Sequence, residues 1–173
     1  MKKLVLLIFG LVALFFVNAQ EKQNAPAPKS PPATVSEELS NGTVITINYS
    51  RPSVRGRTIG KDLEPLPGQV WRTGANKATV FEVSKDVTVE GKALPAGKYA
   101  LFTLVDGDDW TIIFNKTWDQ FGAFKYKQAD DALRVHVTSQ KAESFAETLT
   151  FTISKEGVVT LLWGDYKVSF NVK

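Results

Sequence analysis

Positively charged side chains are concentrated in one stretch of this 173-residue chain. Between residues 51 and 77 there are six cations and only two anions, a local balance of +4. The planar guanidinium group of arginine makes paired hydrogen bonds to carboxylate, phosphate or sulfate. The stretch therefore predicts a binding site for an anionic or carbohydrate-like small molecule. The predicted ligand-binding residues are Arg51, Ser53, Arg55, Arg57, Trp71, Arg72 and Asn76.

A more ordinary interpretation of the same arginines stays open. Residues 51–69 contain three prolines and three glycines, and they form a long connection that does not follow the pattern of strands and tight turns. Long connections in compact domains are often functional. Arginines in such a connection can also fix it to aspartate and glutamate side chains of neighbouring strands. The two interpretations differ in where the guanidinium groups point.

A second cluster is made of aromatic residues. The segment 118–122, with the sequence WDQFG, would be a stacking platform for a sugar ring, and its aspartate and glutamine would bind the sugar hydroxyl groups. The alternative is structural. In that case Trp110 and Phe114 are core residues, because they lie on the same side of their strand as the apolar Ile112. Trp118 and Phe121 then close one end of the fold.

Most catalytic chemistries lack support. The chain has no cysteine and a single histidine, His136, which excludes thiolate chemistry and leaves too few ligands for a histidine-rich metal site. No G-x-S-x-G elbow is present to support a catalytic triad. The acidic run at 106–109 would suit calcium, but Asp-Gly is more typical of a hairpin turn. The sequence predicts no catalytic residue, no metal ligand and no cofactor.

The elements that position these residues follow from an alternation of apolar and polar side chains. In residues 147–154, Leu149, Phe151 and Ile153 alternate with threonine and serine, which is typical of a strand with one buried face. About nine short strands and no long amphipathic helix predict an all-β protein, an antiparallel β-sandwich, with a closed β-barrel as the alternative. Further strands are predicted at 45–49, 78–84, 86–89, 98–105, 110–115, 133–137, 158–163 and 167–173.

Two details refine this fold. In residues 98–105 apolar side chains occupy both the odd-numbered and the even-numbered positions, which face opposite sides of a strand. This strand should therefore be covered on both faces. Turn-forming residues separate the strands, and the predicted turns lie at 90–91, 95–97, 106–109, 156–157 and 164–165.

The N-terminal residues predict export. Two lysines precede an apolar run at 4–17 that ends in a small-residue cleavage pattern, so residues 1–19 are predicted to be a signal peptide. Residues 20–33 contain four of the eight prolines and no large apolar side chain, which predicts a disordered leader. A single domain is expected at 34–173, in the periplasm or outside the cell, with no membrane span after cleavage.

The net charge argues against nucleic acid as a partner. The formal charge is +3, from 21 basic and 18 acidic residues, and it falls to +1 (19 against 18) without the two lysines of the predicted signal peptide. A near-neutral domain lacks the overall field that attracts nucleic acid. An anionic small molecule or a glycan is therefore the expected partner. The sequence makes no prediction of oligomeric state.

Four ordered motifs carry a family resemblance. They are NYSRPSVRGR at 48–57, VWRTGANKAT at 70–79, LPAGKYALF at 94–102 and WTIIFNK at 110–116. With them the chain closely resembles the bacterial secreted proteins grouped as domain-of-unknown-function family 2911, over nearly all of 34–173. The resemblance implies one exported all-β domain and brings no established activity, cofactor or partner.

Two of these four motifs, at 48–57 and 70–79, overlap the basic cluster. One departure from the family pattern is KDLEPLP, after Gly60, where a more glycine-rich and aromatic connection is expected. The hallmark positions implied by the resemblance are Tyr49, Ser50, Arg51, Pro52, Arg55, Gly56, Arg57, Trp71, Arg72, Gly74 and Asn76.

Three functions are compatible with these observations. The basic cluster favours a non-catalytic exported binding module for an anionic or carbohydrate-like ligand. The second function is a small periplasmic hydrolase or isomerase that uses a carboxylate of Asp62, Asp108, Asp109 or Asp119. The third is a structural envelope or interaction protein whose sheet edges pair with a partner. The first two functions differ in whether a concave pocket lined by the arginines also contains a carboxylate or a serine or threonine hydroxyl within ~3 Å of the space that a substrate would fill. Arginines that point into carboxylates between strands would favour the third.

Overall fold

A computed structural model describes residues 28–173. The predicted signal peptide at 1–19 and the first part of the predicted leader, up to residue 27, lie outside the described residues. Within 28–173 no helix is long and apolar enough to cross a membrane.

Ten β-strands and one short 3₁₀ turn at Gln128–Asp130 make up the secondary structure of the described residues. The chain is all-β, as its two-residue periodicity predicts. The strands are β1 Pro32–Glu38, β2 Val44–Ser50, β3 Thr79–Val83, β4 Val87–Val89, β5 Lys92–Leu94, β6 Gly97–Asp106, β7 Asp109–Asn115, β8 Asp131–Thr138, β9 Gln140–Ile153 and β10 Val158–Asn171.

Six strands form one antiparallel sheet in the order β1-β2-β3-β6-β7-β8. Alternate residues of each central strand face inward. Ile45 and Ile47 of β2 are fully buried, and Ile47 pairs with the equally buried Phe81 of β3. The apolar positions that alternate in the sequence therefore become one continuous apolar surface on the sheet.

A second layer covers that surface. β9 and β10 form a long antiparallel pair, and the β4–β5 hairpin joins the chain directly after β10 through a bridge between Val89 and Val172. The ring of Phe170 on β10 lies 5.9 Å from that of Phe114 and 6.4 Å from that of Phe81 on the large sheet. The two layers pack face to face and neither closes on itself. The fold is therefore an antiparallel β-sandwich, and not the closed barrel of the alternative prediction.

Strand β6 is buried on both faces, as its sequence predicts. Leu101 belongs to the core between the sheets, whereas Ala100 and Phe102 form a second apolar cluster on the outer face. The ring of Tyr126 covers this cluster, with its centroid 5.1 Å from that of Phe102. The loop between β7 and β8 therefore acts as a partial third layer.

The structure differs from the sequence prediction in two strands and one turn. The pattern does not predict β1 and β5, because β5 is only three residues long and β1 is an edge strand that alternates between exposed and half-buried side chains. β1 begins at Pro32, two residues before the expected start of the domain. The predicted turn at 164–165 is wrong. β10 continues through it, and its pairing with β9 shifts register around Gly164, as in a β-bulge that bends a strand without reversing it.

The turn between β9 and β10 requires a glycine. Gly157 has a φ of +87°, and an added Cβ would collide with the carbonyl oxygen of Val172. Gly107, in the β6–β7 turn, has a φ of +61° but no atom within 4 Å of an added Cβ.

We expect Gly107→Ala to lower the free energy of unfolding by about 1 to 2 kcal/mol, from the left-handed backbone alone. Gly157→Ala should lower it by about 3 kcal/mol or more. Urea unfolding measures both costs, and equal values would contradict the close approach at Gly157.

Candidate functional site

The connection between β2 and β3 contacts both sheets at one end of the sandwich. It first forms a main-chain bridge between Ser53 and Thr148 of β9. Further along, Trp71 forms a bridge with Thr103 of β6, with N···O distances of 2.8 and 2.9 Å. The connection is thus tied to opposite layers by main-chain hydrogen bonds. These bonds hold the predicted site residues at the rim of the sandwich.

Arg51 and Ser53 join the connection to β9. The Arg51 guanidinium donates from Nε to the carbonyl oxygen of Leu149 and from Nη2 to the Thr150 hydroxyl, each at 3.2 Å. The hydroxyl groups of Ser53 and Thr148 are 3.2 Å apart. Both predicted site residues are therefore used in the contact between the connection and the second sheet.

Arg57 and Arg55 bind main-chain oxygens as well. Arg57 donates from Nε to the carbonyl of Val54 at 3.0 Å and from Nη2 to that of Ser53 at 2.6 Å. Arg55 is exposed and donates to the carbonyl of Lys29 at 3.3 Å. Within the part of the chain that the structure describes, no arginine of the connection forms a salt bridge. The ordinary interpretation is thus correct in that these side chains brace the loop, but their acceptors are carbonyl and hydroxyl oxygens.

Arg72 differs from the other three arginines. Its main-chain oxygen accepts a hydrogen bond from the amide of Thr79 at 3.1 Å, which fixes its backbone beside β3. Its side-chain Nε is shielded from solvent and has no hydrogen-bond partner among residues 28–173. A buried donor without a partner costs about 1 to 3 kcal/mol.

Gly74 allows the backbone after Arg72 to lie against its neighbours. A Cβ at this position would be 2.9 Å from the hydroxyl oxygen of Thr79 and 3.2 Å from the carbonyl oxygen of Ser50. Thr79 also donates its hydroxyl to the carbonyl of Thr73 at 2.7 Å. The glycine of the WRTGAN motif is therefore needed for close packing next to the arginine.

A pocket of about 310 Å³ opens beside Arg72 at the rim. Trp71 and Trp163 line it, with stacked rings whose planes are inclined by 26° and whose centroids are 6.4 Å apart, and each residue is at most 1% exposed. Their indole N–H groups donate to the carbonyl oxygens of Gly74 at 3.1 Å and Glu64 at 2.8 Å. The tryptophans form a rigid apolar floor. One face of the Trp71 ring is packed against Trp163.

Two acidic residues, Asp62 and Glu64, line the pocket together with Arg57 and Arg72. Asp62 accepts a hydrogen bond from the amide of Thr58 at 2.6 Å through Oδ1. Glu64 lines the pocket too, and its Oε2 accepts from the amide of Leu66 at 3.3 Å. In each carboxylate the second oxygen has no hydrogen bond within the described residues. The pocket thus offers both donors for an anionic group and acceptors for hydroxyl groups.

The sequence prediction identified only part of this pocket. Arg57, Trp71 and Arg72 line it, whereas the other predicted site residues, Arg51, Ser53, Arg55 and Asn76, do not. Asn76 lies nearby and donates to the hydroxyl of Ser50 at 3.3 Å and to the carbonyl of Ser30 at 3.4 Å. The prediction missed Glu64 and Trp163 as site residues. The two are 99 positions apart, and no motif connects them.

The second predicted cluster lies in the loop at residues 116–127, which we call the aromatic loop. Trp110 and Phe114 are fully buried, as the structural alternative predicts. Trp118 and Phe121, expected to close one end of the fold, are instead 41% and 62% exposed. Gln120 is buried and donates to the carbonyl of Thr117, so it is turned away from any sugar on the surface.

A hydrogen-bond network holds the base of the aromatic loop. Asp131 accepts from Asn115 at 2.8 Å, from the Tyr126 hydroxyl at 2.8 Å and from Arg134 Nε at 2.7 Å. Burial, and then the hydrogen bond to Asp131, raise the pKa of Tyr126. Burial alone would lower the pKa of Arg134, but its hydrogen bonds to Asp131 and Tyr126 raise it. Arg134 and Asp131 form an ion pair in this network, and their side chains are 29% and 7% exposed. The two charges are paired with each other.

The remaining candidates do not form a site. His136 is exposed, with Nδ1 3.1 Å from the hydroxyl of Thr111. Asp106 and Asp109 pair across the β6–β7 hairpin, which makes the acidic run a turn. Over residues 28–173 no group of three or more potential metal ligands clusters together.

Three comparisons with known proteins bear on identity. A family model described as a protein of unknown function, DUF2911, matches residues 30–172. No curated protein matches the chain. No solved structure matches it.

The geometry predicts different roles for Arg51 and Arg55. Replacing Arg51 with methionine removes two hydrogen bonds between the connection and β9, and we expect Arg51→Met to lower the free energy of unfolding by about 1 to 3 kcal/mol. Arg55→Met is the matched control, with an expected change within about 0.5 kcal/mol because the side chain is exposed. Chemical denaturation of both variants measures this difference. A loss at Arg55 as large as that at Arg51 would contradict it.

Proposed function

Because the chain belongs to the DUF2911 family, whose function is unknown, we propose its function from the geometry of its own residues. The protein is a non-catalytic binding module, and its rim pocket holds an anionic or carbohydrate-like small molecule. The single observation that carries this proposal is that Arg72, whose Nε lacks a partner among the described residues, lines this pocket. A carboxylate or phosphate oxygen of the ligand accepts a hydrogen bond from the guanidinium group.

The composition of the pocket supports a ligand with two kinds of polar group. Arg72 supplies a positive charge in a partly buried place, where a charge-assisted hydrogen bond is stronger than in water. Asp62 and Glu64 supply acceptors for hydroxyl groups. A pocket of about 310 Å³ is at the small end of the range for ligand sites. Together these features fit a single acidic sugar unit or a small organic phosphate.

The N-terminal sequence supports a function outside the cytoplasm. A basic start, an apolar run at 4–17 and a small-residue cleavage pattern are the three parts of a secretory signal peptide. On this basis the ligand is encountered in the periplasm or outside the cell.

The two carboxylates give one specific observation in favour of a second function. Asp62 is one of the four aspartates that the sequence prediction gives as possible catalytic carboxylates. It lines the pocket together with Glu64. Asp119, another of those candidates, is instead paired with Lys77 at 2.8 Å and lies on the aromatic loop. A small hydrolase or isomerase acting on the same acidic ligand is therefore the alternative. Turnover of the bound ligand, lost in Asp62→Asn with binding retained, would favour it.

The Arg72→Met variant tests the binding proposal. A thermal-shift screen of phosphate, sulfate, glucuronate and glucose on the native protein first identifies the ligand, and we expect glucuronate or phosphate to stabilise it and glucose not to. Arg72→Met should then weaken binding by about tenfold to a hundredfold, the loss of one charge-assisted hydrogen bond. Calorimetry measures the dissociation constants.

Stability distinguishes this role from a structural one. Because the Nε of Arg72 is shielded without a partner, its replacement by methionine should leave the free energy of unfolding unchanged or raise it by up to about 1 kcal/mol. Arg55→Met is the control for binding, since Arg55 does not line the pocket. A marked loss of stability in Arg72→Met, without loss of an anionic ligand, would overturn the proposal in favour of a structural role.

A further inference from the structure

Exposed apolar side chains are clustered on the aromatic loop. Of the five large hydrophobic side chains exposed within residues 28–173, three lie between positions 118 and 124. Trp118 is 41% exposed, Phe121 62% and Phe124 86%. Single exposed apolar residues are ordinary on protein surfaces, whereas a contiguous group marks an interaction surface.

The loop holds these side chains outward on a rigid base. The buried Gln120 accepts a main-chain hydrogen bond from Ala78 at 3.0 Å, and a bridge joins Lys77 to Phe121. At the other end of the loop Tyr126 is fixed by the Asp131 network and packs on Phe102. The aromatic groups are therefore exposed although the backbone that carries them is well anchored.

Lysine side chains surround the aromatic group. Lys116, Lys125 and Lys127 are exposed and form no salt bridge with any residue from 28 to 173. Two further lysines are nearby: Lys77 is paired with Asp119, and Lys98 is paired with a glutamate of β3. Residues 116–127 contain three lysines and one aspartate, a net charge of +2, and Asp130 at the base of the loop accepts a hydrogen bond from Thr117. The loop thus combines apolar rings with a small excess of positive charge.

The details of the surface favour lipid over sugar as its partner. A sugar platform needs an open ring face with polar side chains beside it. Here the Nζ atom of Lys98 lies 5.5 Å from the Trp118 ring centroid and covers one face, Gln120 is buried, and Asp119 is engaged by Lys77. Phenylalanine rings have no polar group to bind hydroxyls. Aromatic rings with surrounding lysines instead match the boundary between acyl chains and anionic headgroups.

We propose that the aromatic loop docks the protein on an anionic lipid surface. Phe121 and Phe124 enter the headgroup boundary, Trp118 lies at its edge, and Lys116, Lys125 and Lys127 contact lipid phosphates. None of these residues lines the rim pocket, so the membrane contact does not depend on the proposed ligand. A protein docked in this way keeps its ligand pocket next to a membrane surface.

The tryptophans allow a direct test. The chain has four tryptophans, and Trp71, Trp110 and Trp163 are at most 1% exposed, so Trp118 is the one that lipid can reach. The protein as recovered from the expressing cells is mixed with vesicles of phosphatidylcholine alone or of equal parts phosphatidylcholine and phosphatidylglycerol. We expect sedimentation with the anionic vesicles only, and quenching of Trp118 fluorescence when the lipids carry brominated acyl chains.

Matched variants separate the loop from other sources of lipid binding. Phe121→Ser with Phe124→Ser should weaken binding about tenfold or more, and neutralising the three free lysines to glutamine should weaken it up to about a hundredfold, at about fivefold each. Phe145→Ser is the control, because Phe145 is 53% exposed on β9 away from the loop. It should bind as the native protein does.

Several results would overturn the proposal. Sedimentation without quenching of Trp118, or binding unchanged in the double phenylalanine variant, would assign the lipid contact to another part of the chain, such as the apolar run at 4–17. Equal binding to both kinds of vesicle would show that the lysines do not contribute to the lipid contact. A soluble glycan that shifts Trp118 emission while vesicles do not would establish the sugar platform instead. A circular dichroism spectrum for each variant verifies that the β-sandwich is retained.

Discussion

The apolar contact between the two sheets is the constraint on which the rest of the structure depends. Phe81 and Phe114 of the large sheet meet Phe170 of the second sheet in the middle of the sandwich. Sheets packed in this way leave open ends, where apolar residues and main-chain groups would otherwise meet water. The connection between β2 and β3 closes one end with Trp71 stacked on Trp163. Polar residues of that connection therefore collect at the rim.

The arginines at the rim belong to one cluster in the sequence but have different hydrogen-bond partners in the structure. Arg51 and Arg57 donate to main-chain oxygens and stabilise the connection. Arg72 has the same side chain, but its Nε is shielded from solvent and has no acceptor among residues 28–173. The geometry of the fold therefore gives arginines of one cluster different surroundings.

The candidate site was predictable in part, for physical reasons. Charge and composition pointed to the segment that contains Arg57, Trp71 and Arg72, because those residues are close in sequence. Glu64 and Trp163 come together only because β10 packs against the connection, and a contact of that kind leaves no periodic signal. The same applies to the aromatic loop. Periodicity identified Trp110 and Phe114 as core, but it carries no information on irregular segments, and the expected burial of Trp118 and Phe121 was wrong.

Local sequence by itself determined the all-β class, most strand positions and the double-sided burial of β6, since side-chain alternation follows directly from strand geometry. Tertiary structure decided the order of the strands, the continuation of β10 through Gly164, and the direction in which each arginine and each loop aromatic points. These outcomes depend on contacts between residues far apart in the chain. The free energy of such contacts comes from packing and from buried hydrogen bonds, and neither is encoded in the pattern of any single segment.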